Sequence, residues 1–129
     1  MLYQIDMTGE ASWRVREEFW RENPVKAPIQ EFADRLVEAT RKDLERIDAL
    51  ITACAQNWRF ERMAHVDRNL LRLAVSEFLN ERGTPRKVVI NEAIEIAKKY
   101  GAAESPLFVN GVLDGVKKEL EALADASRA

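Results

Sequence analysis

The sequence predicts an all-α protein, a single compact helical bundle, and three observations carry that expectation. Apolar residues recur three and four positions apart along almost the whole chain. Runs of β-branched residues with strict alternation are nearly absent, and helix start and stop signals follow one another at short intervals. No segment reads as a strand.

Each element follows from its own pattern. Ser12 to about Arg21 is expected to form a short helix with Trp13, Val15, Phe19 and Trp20 available for packing, ended by Asn23-Pro24 and a loop to Pro28. The clearest helix is expected from about Ile29 to Cys54. Ile29, Phe32, Leu36, Val37, Thr40, Leu44, Ile47, Ile51 and Cys54 fall on one stripe of it, and its other face is charged. A short helical piece around Trp58 to Met63 leads into Val66 to Leu79, where Leu70, Leu71, Leu73, Ala74, Val75 and Phe78 leave only a narrow polar stripe. A helix apolar on most of its circumference belongs at the centre of a bundle. Thr84-Pro85 supplies an N-cap and a first-turn proline for a helix from Pro85 to Tyr100, with Gly101 placed to end it in the left-handed conformation. Ser105-Pro106 repeats the start signal for a last helix, Pro106 to about Leu123, leaving 124–129 as a frayed tail. These helices and their short connections suggest two packed sub-bundles, about 1–57 and 58–124, within one domain spanning 1–129.

Composition narrows the function classes. A chain of 129 residues is about one domain long. One cysteine, Cys54, rules out an intramolecular disulfide, and one histidine, His65, rules out a Cys/His metal cage, so no metal or cofactor is expected. The reducing cytoplasm is the expected compartment. No apolar run approaches the roughly 18 residues of a membrane span, so no membrane partner is expected. Twenty Lys and Arg against 22 Asp and Glu leave a net charge of -2, the wrong sign for attachment to nucleic acid by whole-molecule attraction. Any nucleic-acid binding has to be local. No nucleophile, base and oxyanion donor can be assembled from the pattern, so no enzymatic activity is expected.

Tyr100, Gly101, Glu104 and Ser105 lie in the turn between the last two helices, whose backbone N–H groups can meet an anion or a nucleotide. Helix capping alone also explains Gly101, Ser105 and Pro106. Tyr100 and Phe108 flank the turn, with Tyr3 a third aromatic candidate. Such rings stack on unpaired bases, and burial in the core is the competing reading, above all for Phe108. Asn110 either orders a loop through the backbone or faces RNA. Gly111 and Gly115 read as points of close helix approach, and Asn91, Glu92, Glu95, Lys98 and Lys99 as a solvated face with Glu95 and Lys99 paired. Arg59, Arg62, Arg68, Arg86 and Lys87 form the candidate basic surface for phosphates, with scattered solubilising charge as the alternative. Asp67 is expected on the polar stripe of the central helix, away from the Tyr100–Phe108 loop.

The stretch VVINEAIEIAKKYGAAESPLFVNGVLDGV, Val88 to Val116, resembles the signature of the NusB family. Val66-Asp67-Arg68-Asn69-Leu70-Leu71-Arg72-Leu73-Ala74 stands in the family's expected place before it. Trp58 with Arg59, Arg62 and Met63 is also family-like, and Leu2-Tyr3-Gln4 with Asp6-Met7-Thr8-Gly9 resembles the end of the family's first helix. The resemblance implies a seven-helix fold of two three-helix bundles. It also implies a transcription antitermination factor that binds the boxA element of nascent ribosomal RNA together with the ribosomal protein NusE, joining an antitermination complex on RNA polymerase. On the same resemblance Asp67 lies near the surface that meets NusE. Two rival roles are a NusB-like protein-interaction module with weakened RNA binding and an accessory domain for ribosomal RNA modification.

Two departures from the family pattern stand out. The chain begins after the Arg-rich opening of the family's first helix, and Leu107 stands where many members carry Lys or Arg. The first helix is therefore expected to be truncated, with Met1 inside it. Either the reading frame continues upstream or the uncovered apolar surface joins two copies as a homodimer.

Overall fold

A computed structural model describes residues 12–22, 24, 26–55, 63–81 and 83–128 of the chain. Among them six helices, numbered here in chain order, account for nearly all regular structure, and there is no strand. They are α1 (Ser12–Glu22), α2 (Ala27–Lys42), α3 (Leu44–Cys54), α4 (His65–Asn80), α5 (Arg86–Tyr100) and α6 (Ser105–Arg128). The expected join of two sub-bundles near residue 57, the helical piece around Trp58 and the Trp13 ring fall outside the described residues and side chains.

The long helix expected from Ile29 to Cys54 is two helices. Pro28 sits in the first turn of α2, where its missing N–H costs nothing. At Asp43 the backbone leaves helical geometry (φ -101°, ψ 19°), yet its N–H still bonds the Ala39 carbonyl at 3.2 Å and its own carbonyl accepts from Ile47 at 2.9 Å. The result is a break in direction with little loss of hydrogen bonding, which a search for periodicity passes over. The amphipathic stripe is also buried only in part: Ile29 and Phe32 are exposed, with the Arg35 guanidinium 5.3 Å from the Phe32 ring centroid, and burial starts at Leu36, Val37 and Thr40. α1 is attached to α2 through a 2.7 Å hydrogen bond from Trp20 Nε1 to Asp34 Oδ1.

α4 is the centre, as its apolar circumference predicts. It packs against α2, α3, α5 and α6, and Leu71 and Val75 are wholly buried. They join Ile47 and Ile51 of α3 and Val109, Leu113 and Val116 of α6 in one core cluster. α3 and α6 approach closely at Gly115, where an added Cβ would lie 3.2 Å from Cys54 Cβ. Gly115 is therefore a packing residue; Gly111, which has open space around it, is not.

The narrow polar stripe of α4 faces inward. Asp67, Asn69, Arg72 and Ser76 are all buried. Arg72 reaches across to α3 and grips Asp48 with both ends of its fork, Nε to Oδ1 at 2.8 Å and Nη2 to Oδ2 at 2.9 Å. Its Nη1 donates to Asn69 Oδ1 at 3.1 Å, and Asn69 Nδ2 donates to the His65 carbonyl at 2.9 Å. Burying a guanidinium is tolerable only with such a full set of acceptors.

Helix ends differ from the expected pattern in three places. Pro85, not Thr84, is the N-cap of α5, and no side chain caps that end. Gly101 closes α5 in an extended conformation (φ -94°, ψ -177°), not a left-handed one. α6 continues to Arg128, through the residues expected to fray.

Candidate nucleic-acid interface

The turn joining α5 to α6 is built around Ser105. This residue is the first of α6 and is 1% exposed. Its Oγ accepts the Ala102 N–H at 2.9 Å and donates to Asp67 Oδ2 at 3.0 Å. Gly101 is needed for space: an added Cβ would lie 2.7 Å from Ser105 Cβ and Oγ and 2.8 Å from the Ala97 carbonyl oxygen. A substituted turn would have to move.

This chain of hydrogen bonds corrects the expected place of Asp67. The carboxylate is 9% exposed and is bonded to the loop from which the sequence reading separated it. The heptad-like pattern of α4 shows which residues share a face, but not which helix that face meets. Asp67 Oδ1 is buried and has no hydrogen-bond partner among the described residues.

Around this buried anchor the surface is open and partly aromatic. Tyr100 is 67% exposed, with Lys99 Nζ 5.9 Å from its ring centroid. Leu107 is 79% exposed, and Glu104 and Asn110 are exposed. Asn110 therefore does not fill the buried structural role that was one of its two readings. Phe108 is half-buried against the core cluster, between the two roles that the sequence left open. Ser105 contributes its hydroxyl inward, so only its neighbours face out.

The basic residues separate into two groups. Arg68 stands one residue from Asp67, at the start of α4, and its Nη2 lies 2.7 Å from His65 Nδ1. Arg86 and Lys87 start α5, about 20 Å along the helix axis from Tyr100 at its other end. There the Arg86 guanidinium lies 5.9 Å from the Phe78 ring centroid. Arg86 and Lys87 do not share a surface with the 100–105 turn. Tyr3, Arg59 and Arg62 lie outside the described residues.

Sequence reasoning missed a groove of about 510 Å³ beside the turn, between the end of α3 and the first turns of α6. Cys54, Leu107, Phe108, Gly111, Gly115 and Lys118 line it. Gly111, with nothing within 4 Å of an added Cβ, keeps it open. The only signal in the sequence was the Gly111/Gly115 pair, which reads equally as helix packing. Burial and then the negative charge of Glu119 push the Cys54 thiol above its ordinary pKa, which keeps it protonated and poorly nucleophilic at neutral pH.

On α5, Glu95 pairs with Lys98 at 3.1 Å, not with Lys99, which leaves Lys99 beside Tyr100. Among the described residues no group of His, Cys, Asp and Glu could hold a metal ion, and no helix is long and apolar enough to cross a membrane. What this face offers is rings, cations and a groove for binding.

Comparison with known proteins agrees with that form. The NusB family profile matches residues 1–118. The Sorangium cellulosum transcription antitermination protein NusB is 44% identical over 120 residues, covering 93% of this chain and 86% of that protein. The T. maritima NusB structure is 40% identical with a TM-score of 0.84, covering 92% of this chain and 83% of that one. A structure of antitermination factors NusB and NusE in complex with dsRNA is 30% identical, also with a TM-score of 0.84, covering 92% and 88%. The chain belongs to the NusB family.

Proposed function

We propose that this protein is a transcription antitermination factor that binds boxA-type RNA of nascent ribosomal RNA together with the ribosomal protein NusE. It acts by recruitment in the cytoplasm, as part of the antitermination complex on RNA polymerase, and catalyses nothing. The observation that carries this reading is the 100–105 turn, where Tyr100 is 67% exposed and Lys99 Nζ lies 5.9 Å from its ring centroid. Family membership supports it, and a related structure holds NusB, NusE and dsRNA together.

In this reading Tyr100 stacks on a base, with Lys99 contributing charge beside it, and the edge of Phe108 and the groove beside Gly111 take a second ring. Glu104, Asn110 and the backbone at Gly101 contact base edges or sugar. Arg68, and Arg59 and Arg62 before it, supply phosphate contacts. NusE docks near the start of α4, where the family resemblance puts that surface; Asp67 itself is buried there and acts from within.

The test is a salt titration of binding to a boxA-like RNA and a scrambled one, with and without NusE. Preference for boxA that survives rising salt, with a shallow salt slope, is the expected result. Tyr100→Ala should weaken binding by about 1–3 kcal/mol. Equal binding of both RNAs in the presence of NusE would replace this reading with that of a protein-interaction module.

A further inference from the structure

The exposed turn at 100–105 has short backbone bonds of its own, Gly101 N–H to the Ala97 carbonyl at 2.9 Å and Ser105 N–H to the Ala102 carbonyl at 3.0 Å, and the Ser105 side chain ties it to the interior. Ala102 donates to Ser105 Oγ at 2.9 Å, and the same hydroxyl donates to Asp67 Oδ2 at 3.0 Å. Asp67 is 9% exposed and Ser105 1% exposed, so water competes little with the bond between them, while Ala102 lies at the surface. A hydroxyl that donates to a carboxylate becomes a better acceptor for the next donor, so the two bonds strengthen each other. The carboxylate also sets the direction of the hydroxyl proton, which turns the Ser105 lone pairs toward Ala102. Gly101 packs against the same side chain and the preceding helical turn.

We infer that Asp67 is a positioning residue for the RNA-binding turn: through Ser105 it holds the backbone at Ala102 and so sets the position of Tyr100 before RNA arrives. Asp67 touches no RNA in this arrangement. This inference rests on the proposal that the turn meets RNA. A turn that is ordered in the free protein binds with nearly its intrinsic affinity, whereas one that samples other conformations loses affinity in proportion to its competent fraction.

The decisive variants are Asp67→Ala, Ser105→Ala and their combination, each compared with Asp48→Ala. Asp48→Ala disrupts a different buried bond of α4, the one to Arg72, and serves as the control for general destabilisation. Two readouts are needed on the full chain: amide hydrogen exchange at Ala102 under native conditions, and affinity of the folded protein for boxA-like RNA without NusE. Measured against the core amides of α4, exchange at Ala102 should accelerate selectively in Asp67→Ala although Ser105 is intact, whereas in Asp48→Ala it should rise only in step with them. RNA affinity should fall about three- to tenfold in Asp67→Ala and in Ser105→Ala, and the double variant should fall no further than either single one. Ser105→Thr, which keeps the hydroxyl, should retain Ala102 protection.

Unchanged exchange at Ala102 in Asp67→Ala overturns the inference. So does unchanged RNA affinity of folded Asp67→Ala when Tyr100→Ala binds more weakly. If exchange accelerates in Asp67→Ala but neither Asp67→Ala nor Tyr100→Ala alters RNA binding, the anchor stands and the assignment of RNA to this turn fails.

Discussion

Two turns of this chain, 81–85 and 101–105, are written in nearly the same local alphabet. Each holds a glycine and then a hydroxyl residue followed by proline, next to the glycine in Gly83-Thr84-Pro85 and four residues on from Gly101 in Ser105-Pro106. In the first, Thr84 is exposed, caps nothing, and Gly83 has nothing within 4 Å of an added Cβ. In the second, Ser105 is buried and bonded to Asp67, and Gly101 has no room for a methyl group. The difference comes from the residue that each turn meets. One turn lines an open cleft with Arg46, Phe78 and Leu123; the other lies over the inward carboxylate of α4. A helix start signal thus specifies where a turn occurs, and the facing helix decides whether it is held.

The largest expected effect lies away from both turns. Asp48→Ala leaves the Arg72 guanidinium, 8% exposed, without the carboxylate that it grips, and should cost about 3–5 kcal/mol in chemical denaturation. It should unfold the bundle without preference for either turn; selective loosening of 101–105 would break the comparison.

The two glycines should respond with opposite signs. Gly101→Ala drives a Cβ to 2.7 Å from Ser105 and 2.8 Å from the Ala97 carbonyl, an overpacking worth about 1–3 kcal/mol of lost stability. Gly83→Ala meets nothing and restricts the unfolded chain, so it should gain about 0.4–1 kcal/mol. Thermal unfolding of both variants checks the pair, and equal shifts would mean that the two turns are alike.

The smallest effect is at the end of α4 near the first turn. Burial raises the Glu77 pKa, and the charges of Glu92 and then Glu81 raise it further. Because the folded-state pKa lies above the unfolded one, the fold favours protonated Glu77. Its contribution is fully present below the unfolded pKa and is lost as pH rises through the raised value. Glu77→Gln should therefore melt slightly above the parent at neutral pH, with the gap narrowing as pH falls through the carboxylate range. A gap that widens on acidification would reverse the sign assigned to this site.

Much of the architecture was legible because helical periodicity is local. The spacing of Leu70, Leu71, Ala74, Val75 and Phe78 is enough to place α4 at the centre, since no other location buries so much of a helix's circumference. The prolines at 85 and 106 mark two helix starts for the same kind of reason: a residue without an N–H fits at the N-cap, where Pro85 sits, or in the first turn, where Pro106 sits. The motif from Val88 to Val116 pointed to the NusB family, to which the chain belongs. The bend at Asp43 was not legible, because its hydrogen bonds and the apolar stripe both continue across it.

What the sequence by itself determined is therefore the helical segments apart from the break at Asp43, the identity of the central helix and the approximate starts of the last two. Only the tertiary structure decided which residues across helices meet. It turned Asp67 from a surface residue into the anchor of Ser105 and made Gly101 a matter of space, where the pattern suggested a left-handed cap. The physical reason is range. A helix repeats its faces every few residues through bonds between near neighbours, so its own sequence specifies them. The partner of each face is a residue 24 positions away, as for Arg72 and Asp48, or 38 away, as for Asp67 and Ser105, and is chosen by the packing of the whole bundle.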